Sequence, residues 1–169
     1  IGDRTSTLMC WGKNHRFFVR ELEISGSQFT DAIMKASKLD YKKARNLKHA
    51  EGIESLKQPG LDSEGDAKEV DPLAIKVEEK TIASSLVDEL RKTLRYYMKT
   101  SNQAFFNKFY LSGGSAQMTG LKDYIAENLN VEIDLFDPFK DAICSSEIEN
   151  PYQYVVAVGM AIRGLDKNE

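Results

Sequence analysis

The sequence predicts an α/β fold in which a mixed sheet is flanked by helices. Three observations carry this prediction. The chain starts with the pattern of a β-hairpin, helical and strand patterns alternate after it, and a short apolar run at 106–111 ends at two glycines before a new helix. A hairpin followed by such an alternation is typical of a sheet with both antiparallel and parallel strands.

Length and composition fit one folded domain or two small lobes. The 169 residues are 41% hydrophobic and 29% charged, which is enough apolar material for a sizeable core. The net charge of -3 argues against a nucleic-acid binder, because phosphate backbones require a surplus of Lys and Arg on one face. No apolar run approaches the roughly 20 residues that span a bilayer, and no signal peptide is recognisable. Cys10 and Cys144 have no metal-site spacing, so we expect reduced thiols in a cytosolic protein.

The first 24 residues predict two antiparallel strands, at 5–11 and 16–24, joined by a short loop. Ahead of them stands the turn 1–7, IGDRTST, in which a glycine and hydroxyl residues can offer backbone N–H and O–H donors to a phosphate. The same composition also suits an ordinary hairpin turn, so the turn alone does not decide between the two interpretations.

A helical insertion is predicted next. The spacing predicts a helix at 26–37, with Ser25 or Ser27 as its cap, and a second short helix at 40–49. The basic residues of this region are Lys35, Lys38, Lys42, Lys43, Arg45 and Lys48. Such a run is typical of a solvated face, and a face towards a phosphate or a partner is the alternative. Residues 51–71 are rich in acids, Gly, Pro and Ser, which predicts a mobile surface loop.

A long helix follows, with Pro72 in its first turn and its end near residue 100. An apolar stripe recurs along it at helical spacing, formed by Ile75, Ile82, Leu86, Leu90, Leu94 and Tyr97. We expect this stripe to pack on the sheet, and a groove for a partner helix is the alternative.

The second half of the chain is organised around a glycine loop at 112–118, between a buried strand at 106–111 and a helix that starts at 119. Glycines let the backbone take positive φ and approach a ligand closely, an arrangement that holds anionic or nucleotide ligands, although the two glycines can also serve only to make the turn. A strand at 131–136, a loop and a closing helix at 151–163 complete the chain. We expect the apolar residues of the closing helix to pack, with Gly159 allowing close approach.

Taken together, three segments resemble the second lobe of the actin, sugar kinase and heat-shock chaperone fold. They are most similar to the family of type IV pilus assembly protein PilM, relatives of the cell-division protein FtsA. Residues 1–7 resemble the family's second phosphate loop, residues 111–121 its adenosine motif, and residues 155–164, VVAVGMAIRG, its closing helix. The resemblance implies a ribonuclease H-like or actin-like lobe, with a mixed five-stranded sheet whose first strand is truncated before Ile1.

The same resemblance implies that residues 1–169 form the second, C-terminal lobe, with 25–71 as a helical insertion plus the mobile acidic loop. It also implies an ATP site. The N-terminal turn would contact the β and γ phosphates, two glycines and a serine would line the adenosine, Lys48 would reach the ribose or purine edge, and Met118 would cover the base. The residues so assigned are Gly2, Asp3, Arg4, Thr5, Ser6, Lys48, Gly113, Gly114, Ser115 and Met118. No catalytic or metal-ligating residue is assigned.

Because the resemblance covers one lobe and the chain begins without Met, we expect a fragment that is inactive alone. The parent would be at most a weak ATPase that uses ATP with Mg²⁺ as a clamp between its lobes. The implied setting is cytoplasmic, at the inner face of the bacterial inner membrane, without membrane insertion. The implied partners are a PilN-like cytoplasmic tail and other components of the pilus machine. Half of a sugar or acetate kinase-type phosphotransferase, and an interaction module without nucleotide, are the alternatives.

Overall fold

The structure, a computed structural model, describes residues 1–12, 17–56, 81–102, 105–144, 146 and 148–165. Its strands and helices, in chain order, are β1 (Ser6–Trp11), β2 (Phe17–Leu22), α1 (Gly26–Ser37), α2 (Tyr41–Ala50), α3 (Ile82–Ser101), β3 (Phe109–Leu111), α4 (Leu121–Leu129), β4 (Ile133–Leu135) and α5 (Val155–Leu165). Two 3₁₀ helices, η1 (Gly52–Leu56) and η2 (Pro151–Tyr154), follow α2 and precede α5. In the part of the chain described, no helix has both the length and the apolar character needed to cross a membrane.

The predicted hairpin is confirmed. β1 and β2 pair antiparallel, with Ser6 opposite Leu22 and Trp11 opposite Phe17. Side chains alternate between the two faces of the ribbon, as strand geometry requires. The inner face packs on the middle of α3, where Cys10 is buried beside Leu94.

The sheet is divided into two pairs. All four expected strands are present, but β1 pairs only with β2, and β3 pairs in parallel only with β4. Ile1 lies between the pairs on the side of β3: its terminal amine donates to the Ser112 carbonyl, and its own carbonyl accepts from the Ser115 N–H at 3.2 Å. The mixed sheet is thus present as two separate pairs, because among the described residues no strand bridges β1 and β3.

The strand before the glycine loop is shorter than predicted. It spans three residues, because β4 offers only three partners and Phe106 turns out of the ladder to stack on Tyr97, with ring centroids 5.9 Å apart. The predicted strand at 131–136 likewise shortens to Ile133–Leu135.

The insertion forms two helices as predicted. α1 has the predicted bounds, and Ser25 caps it in a capping box whose other half is the Gln28 side chain, which accepts from the Ser25 N–H. Asp40 caps α2 by accepting from the Lys43 N–H at 2.9 Å. α1 packs against α2 and η1, with Phe29 and Ile33 fully buried. The acidic loop predicted at 51–71 lies outside the described residues from residue 57 onward.

The long helix begins later than predicted. The Thr81 hydroxyl accepts from the Ser84 N–H and so caps a helix that starts at Ile82, not at Pro72. Residues 72–80 lie outside the described part of the chain. The predicted stripe is core, as expected: Leu86 and Val87 are buried with Phe29 of α1 and with residues of α4 and β4.

The closing helix corrects a prediction. None of the eleven residues of α5 is buried, and Met160 and Leu165 are largely exposed. A Cβ added to Gly159 would meet no atom within 4 Å, so nothing in the described structure uses the close approach that the sequence suggested.

Candidate functional site

A cavity of about 1060 Å³ opens between the N-terminal turn, α2, the glycine loop and η2. Its lining residues are Ile1, Gly2, Asp3, Thr5, Thr7, Tyr41, Lys42, Arg45, Asn46, Lys48, His49, Ser112, Gly113, Gly114, Ser115, Gln117, Asn150, Tyr152, Gln153, Val155 and Val156. Because its volume is at the upper end of the range for small-molecule sites, the cavity has room for a ligand of nucleotide size.

The N-terminal turn is held by backbone hydrogen bonds. The Gly2 N–H donates to the Thr5 carbonyl at 3.0 Å, which closes the turn. The start of α1 then fixes it from outside, since the N–H groups of Gly26 and Ser27 donate to the carbonyls of Gly2 and Asp3, both at 2.8 Å. These bonds use the carbonyls of Gly2 and Asp3 and hold the turn against the start of α1.

The glycine loop is fixed on both sides. The Gly113 N–H donates to the Tyr152 carbonyl of η2 at 2.8 Å, and the Ser115 N–H donates to the Ile1 carbonyl. Gly113 has a φ of 99° and lies so close to the Ile1 backbone that an added Cβ would overlap it. The loop therefore does not present these two N–H groups to a ligand, which corrects the sequence-based idea of an unshielded anion-binding turn.

Gly114 differs from its neighbour. It lines the cavity, its φ is not in the left-handed region, and an added Cβ would meet no atom within 4 Å. A ligand surface can therefore approach the backbone at this residue, and a side chain placed here would extend into free space.

A hydrogen bond and a close packing contact join the end of the glycine loop to the insertion. The Ile53 N–H of η1 donates to the Thr119 carbonyl at 3.0 Å, and Gly52 packs so tightly on Thr119 that a Cβ would overlap its carbonyl. Gly52 has a φ of 64°, a conformation that glycine adopts at little cost. The insertion and the glycine loop are thus held at a fixed separation across the cavity.

One face of α2 forms a wall of the cavity, which agrees with the alternative interpretation of the basic run, a face towards a phosphate or a partner, and not with the favoured one, a solvated face. Tyr41, Arg45 and His49 recur every four residues and all line the cavity. From the sequence, a solvated face is the favoured interpretation of the basic run. The sequence also shows no partner for His49. The four-residue recurrence of polar and aromatic side chains was the available signal, but it becomes meaningful only once the opposite wall is known.

Lys48 is the buried cation of the site. It is 4% exposed, and its Nζ donates to the Gly26 carbonyl at 2.9 Å. Burial lowers its pKa, an effect opposed by the charge of Asp3. Burial also lowers the pKa of His49, as do the charges of Lys48 and Arg45. An anion in the cavity would counter these penalties, because it would stabilise the protonated forms.

The structure brings together seven of the ten residues assigned from sequence. Those that line the cavity are Gly2, Asp3, Thr5, Lys48, Gly113, Gly114 and Ser115. Arg4 is exposed and does not line it. The Ser6 hydroxyl instead donates to the Ile24 carbonyl. Met118 is 2% exposed in the hydrophobic core, so the expectation that it covers a base is wrong.

The charges of the lining favour an anionic ligand. Lys42, Arg45 and Lys48 face a cavity whose described lining includes one carboxylate, that of Asp3. Within the described ranges, no group of three or more His, Cys, Asp or Glu side chains is placed to hold a metal ion. The arrangement can therefore bind a negatively charged molecule.

Comparisons with known proteins concern the family and the fold of the chain. The family model described as type IV pilus assembly protein PilM matches residues 64–165, more than half of the chain. No curated protein matches the sequence significantly.

Among solved structures, the PilM-PilN type IV pilus biogenesis complex is 23% identical and covers 98% of this chain with a TM-score of 0.70. The ethanolamine utilization protein EutJ from Carboxydothermus hydrogenoformans is 14% identical and covers 96% with a TM-score of 0.58. These similarities confirm the actin-like α/β fold predicted from the sequence. This chain spans 44% and 46% of the two relatives, less than half of each.

Proposed function

The chain belongs to the family of type IV pilus assembly protein PilM, and on that premise we propose that it is a nucleotide-binding lobe of an actin-like scaffold for pilus assembly. The observation that carries the proposal is the cavity, where a cation-rich helix face meets an open glycine across a space of nucleotide size. The ligand we propose is ATP, bound with Mg²⁺ in a two-lobed protein.

The residues present fit the nucleotide by their chemistry. The N-terminal turn and Lys48 both line the cavity, and the backbone N–H groups of such a turn and a lysine ammonium are groups that bind phosphates. The open backbone at Gly114 and the Tyr41 ring on α2 supply flat and apolar surface suited to a nucleoside. Mg²⁺ would supply charge neutralisation on the phosphates, and Asp3 is the carboxylate of the lining that could approach it.

The wider role follows from the family. We propose that nucleotide joins this lobe to a second one, and that the joined protein binds a PilN-like cytoplasmic tail and other pilus components at the inner face of the inner membrane. The PilM-PilN complex supports the partner, since that relative is solved together with PilN. We expect this chain alone to hydrolyse no ATP, and the two-lobed protein to be at most a weak ATPase.

Two other functions compete with this proposal. A sugar or acetate kinase-type phosphotransferase would need a carboxylate base beside an acceptor site, and Asp3 is the one carboxylate of the described lining. An interaction module that keeps the fold without nucleotide would leave the cavity unused. The cation-rich lining favours a nucleotide over the unused cavity of an interaction module, and phosphate transfer to an acceptor is what separates the kinase from the scaffold.

The test is binding of a fluorescent ATP analogue to this chain and to Gly114→Val. The substitution adds an isopropyl group to the open wall, and its Cβ would meet no protein atom within 4 Å, so we expect at least tenfold weaker binding and unchanged thermal stability. Gly159→Val is the matched control, because its Cβ also meets no atom within 4 Å but lies outside the lining.

Equal affinity of the analogue for Gly114→Val and for the unsubstituted chain would show that the glycine loop does not contact the ligand. No binding to either the chain or its two-lobed parent would support the interaction module. Transfer of phosphate to a small acceptor such as acetate would support the kinase.

A further inference from the structure

The outer face of the β-hairpin carries an apolar patch away from the cavity. It consists of two cross-strand pairs, Met9 with Val19 and Trp11 with Phe17. All four side chains are between 58% and 61% exposed, and the rings of Trp11 and Phe17 lie 5.5 Å apart. A contiguous exposed patch of this kind marks an interaction site more often than scattered apolar residues do.

Both faces of the hairpin are apolar. The inner face, with Leu8, Cys10 and Phe18, packs on α3, while the outer face is apolar at the next positions along both strands. A half-exposed strand normally alternates apolar with polar residues, and continuous apolar runs are typical of strands that are covered on both faces. The hairpin therefore has the sequence of a doubly covered ribbon, with one cover supplied by α3.

The outer edge of β2 is also open. Among the described residues, β2 pairs with β1 alone, so the backbone groups of its other edge are available. Proteins usually block such an edge with Pro, a bulge or inward charges. One inward charge is present, Arg20, and it is paired with α3: it donates to Thr93 at 2.7 Å and to Glu89 at 2.9 Å, which holds the edge in a fixed position.

The size and charge of the patch indicate what it binds. Its area is on the order of 400 Å². Two copies stacked through it would bury roughly 800 Å², less than the approximately 1,200 Å² of a stable dimer. A single strand needs less area, because backbone hydrogen bonds supply much of its affinity. At the far end of β2, Glu21 and Glu23 are exposed and would attract a cationic residue.

We propose that the outer edge of β2 binds an extended segment of a partner protein, which adds as a third strand. The segment would carry apolar residues at alternate positions, packed on Phe17 and Val19, and a Lys or Arg beside Glu21. This site is independent of the nucleotide site, since the lining of the cavity includes neither β2 nor the patch.

The test is selection of binders from displayed random 12-residue peptides on the whole chain, with the double variant Phe17→Ser, Val19→Lys used for counter-selection. Both side chains are exposed, so the variant is expected to fold. We expect enriched peptides with apolar residues at every second position and a basic residue at one end. A synthetic copy of the enriched peptide, made without Trp, should shift the emission of Trp11 to shorter wavelength, and Trp11 is the single tryptophan of the sequence.

The controls decide between occupants. The same peptide should bind at least tenfold more weakly to Phe17→Ser, and unchanged to Met160→Ser, which removes an equally exposed side chain from α5. Two selection results would contradict binding as a third strand: enrichment of apolar residues at helical spacing, and absence of enrichment. Unchanged binding of a peptide whose central residue is Pro would contradict it as well. Self-association of the chain that Phe17→Ser abolishes would assign the patch to a second copy.

Discussion

The same residue types occur on the packed side around α3 and on the cavity side around α2 and α5, but they are buried on the first side and exposed on the second. On the packed side, Leu86 is buried, while on the cavity side Met160 is exposed although its helix, α5, is more apolar than α3. Gly113 is locked against the Ile1 backbone, while its neighbour Gly114 faces free space. A residue pattern therefore shows that a position is suited to packing or to close approach. Whether it is buried depends on the surface that lies opposite.

The largest difference is expected between two apolar truncations. Leu86→Ala leaves a hole in the core and should lower the free energy of unfolding by about 3 kcal/mol, measured by urea denaturation. Met160→Ala should change it by less than about 0.5 kcal/mol, because the side chain is largely exposed. A cost above 1 kcal/mol for Met160→Ala would mean that α5 is packed in the isolated chain, and the comparison would fail.

Gly113 and Gly114 allow the same comparison between two adjacent residues, one packed and one open. Gly113→Ala forces a Cβ into a positive-φ position and against the Ile1 backbone, and should cost about 2 kcal/mol of stability. Gly114→Ala has room and should leave thermal unfolding nearly unchanged. If both variants were equally stable, the Ile1 contact would not hold the loop.

The smallest effect concerns pH on the cavity side. Burial and neighbouring cations lower the pKa of His49, and a bound anion would raise it again, so binding of an ATP analogue should take up a proton. Affinity should therefore increase as pH falls from about 7 to about 5.5, around the ordinary His value. His49→Gln should flatten this dependence in a titration at several pH values. An affinity that rises with pH in the parent would contradict the sign.

Local signals in the sequence predicted much of the fold. The bounds of α1 and its Ser25 cap follow from capping chemistry and helical spacing, and the hairpin follows from two β-rich runs. The helix α3 starts at Ile82, where the extended Thr81 caps it, while the predicted start at Pro72 lies outside the described residues. The packing of α5 was wrong because an apolar pattern does not show whether the surface it suits is present in the chain.

The site was predicted in part for the same reason. Glycine motifs placed Gly2 and Gly114 at the cavity, since close backbone approach is a local property. The α2 wall was not the favoured prediction, because the sequence pattern of a basic run is the same on a solvated face and on a cavity wall. Met118 was misplaced because the turn geometry, which directs it into the core, cannot be read from residue types.

The contact of Gly52 with Thr119 has a consequence for altering the protein. Gly52 does not line the cavity, yet its missing side chain sets how closely the insertion approaches the glycine loop. A larger residue there would be strained at a φ of 64° and would have to push the insertion away from Thr119. The spacing between the insertion and the loop is thus set from a position outside the cavity lining, by a contact that favours glycine.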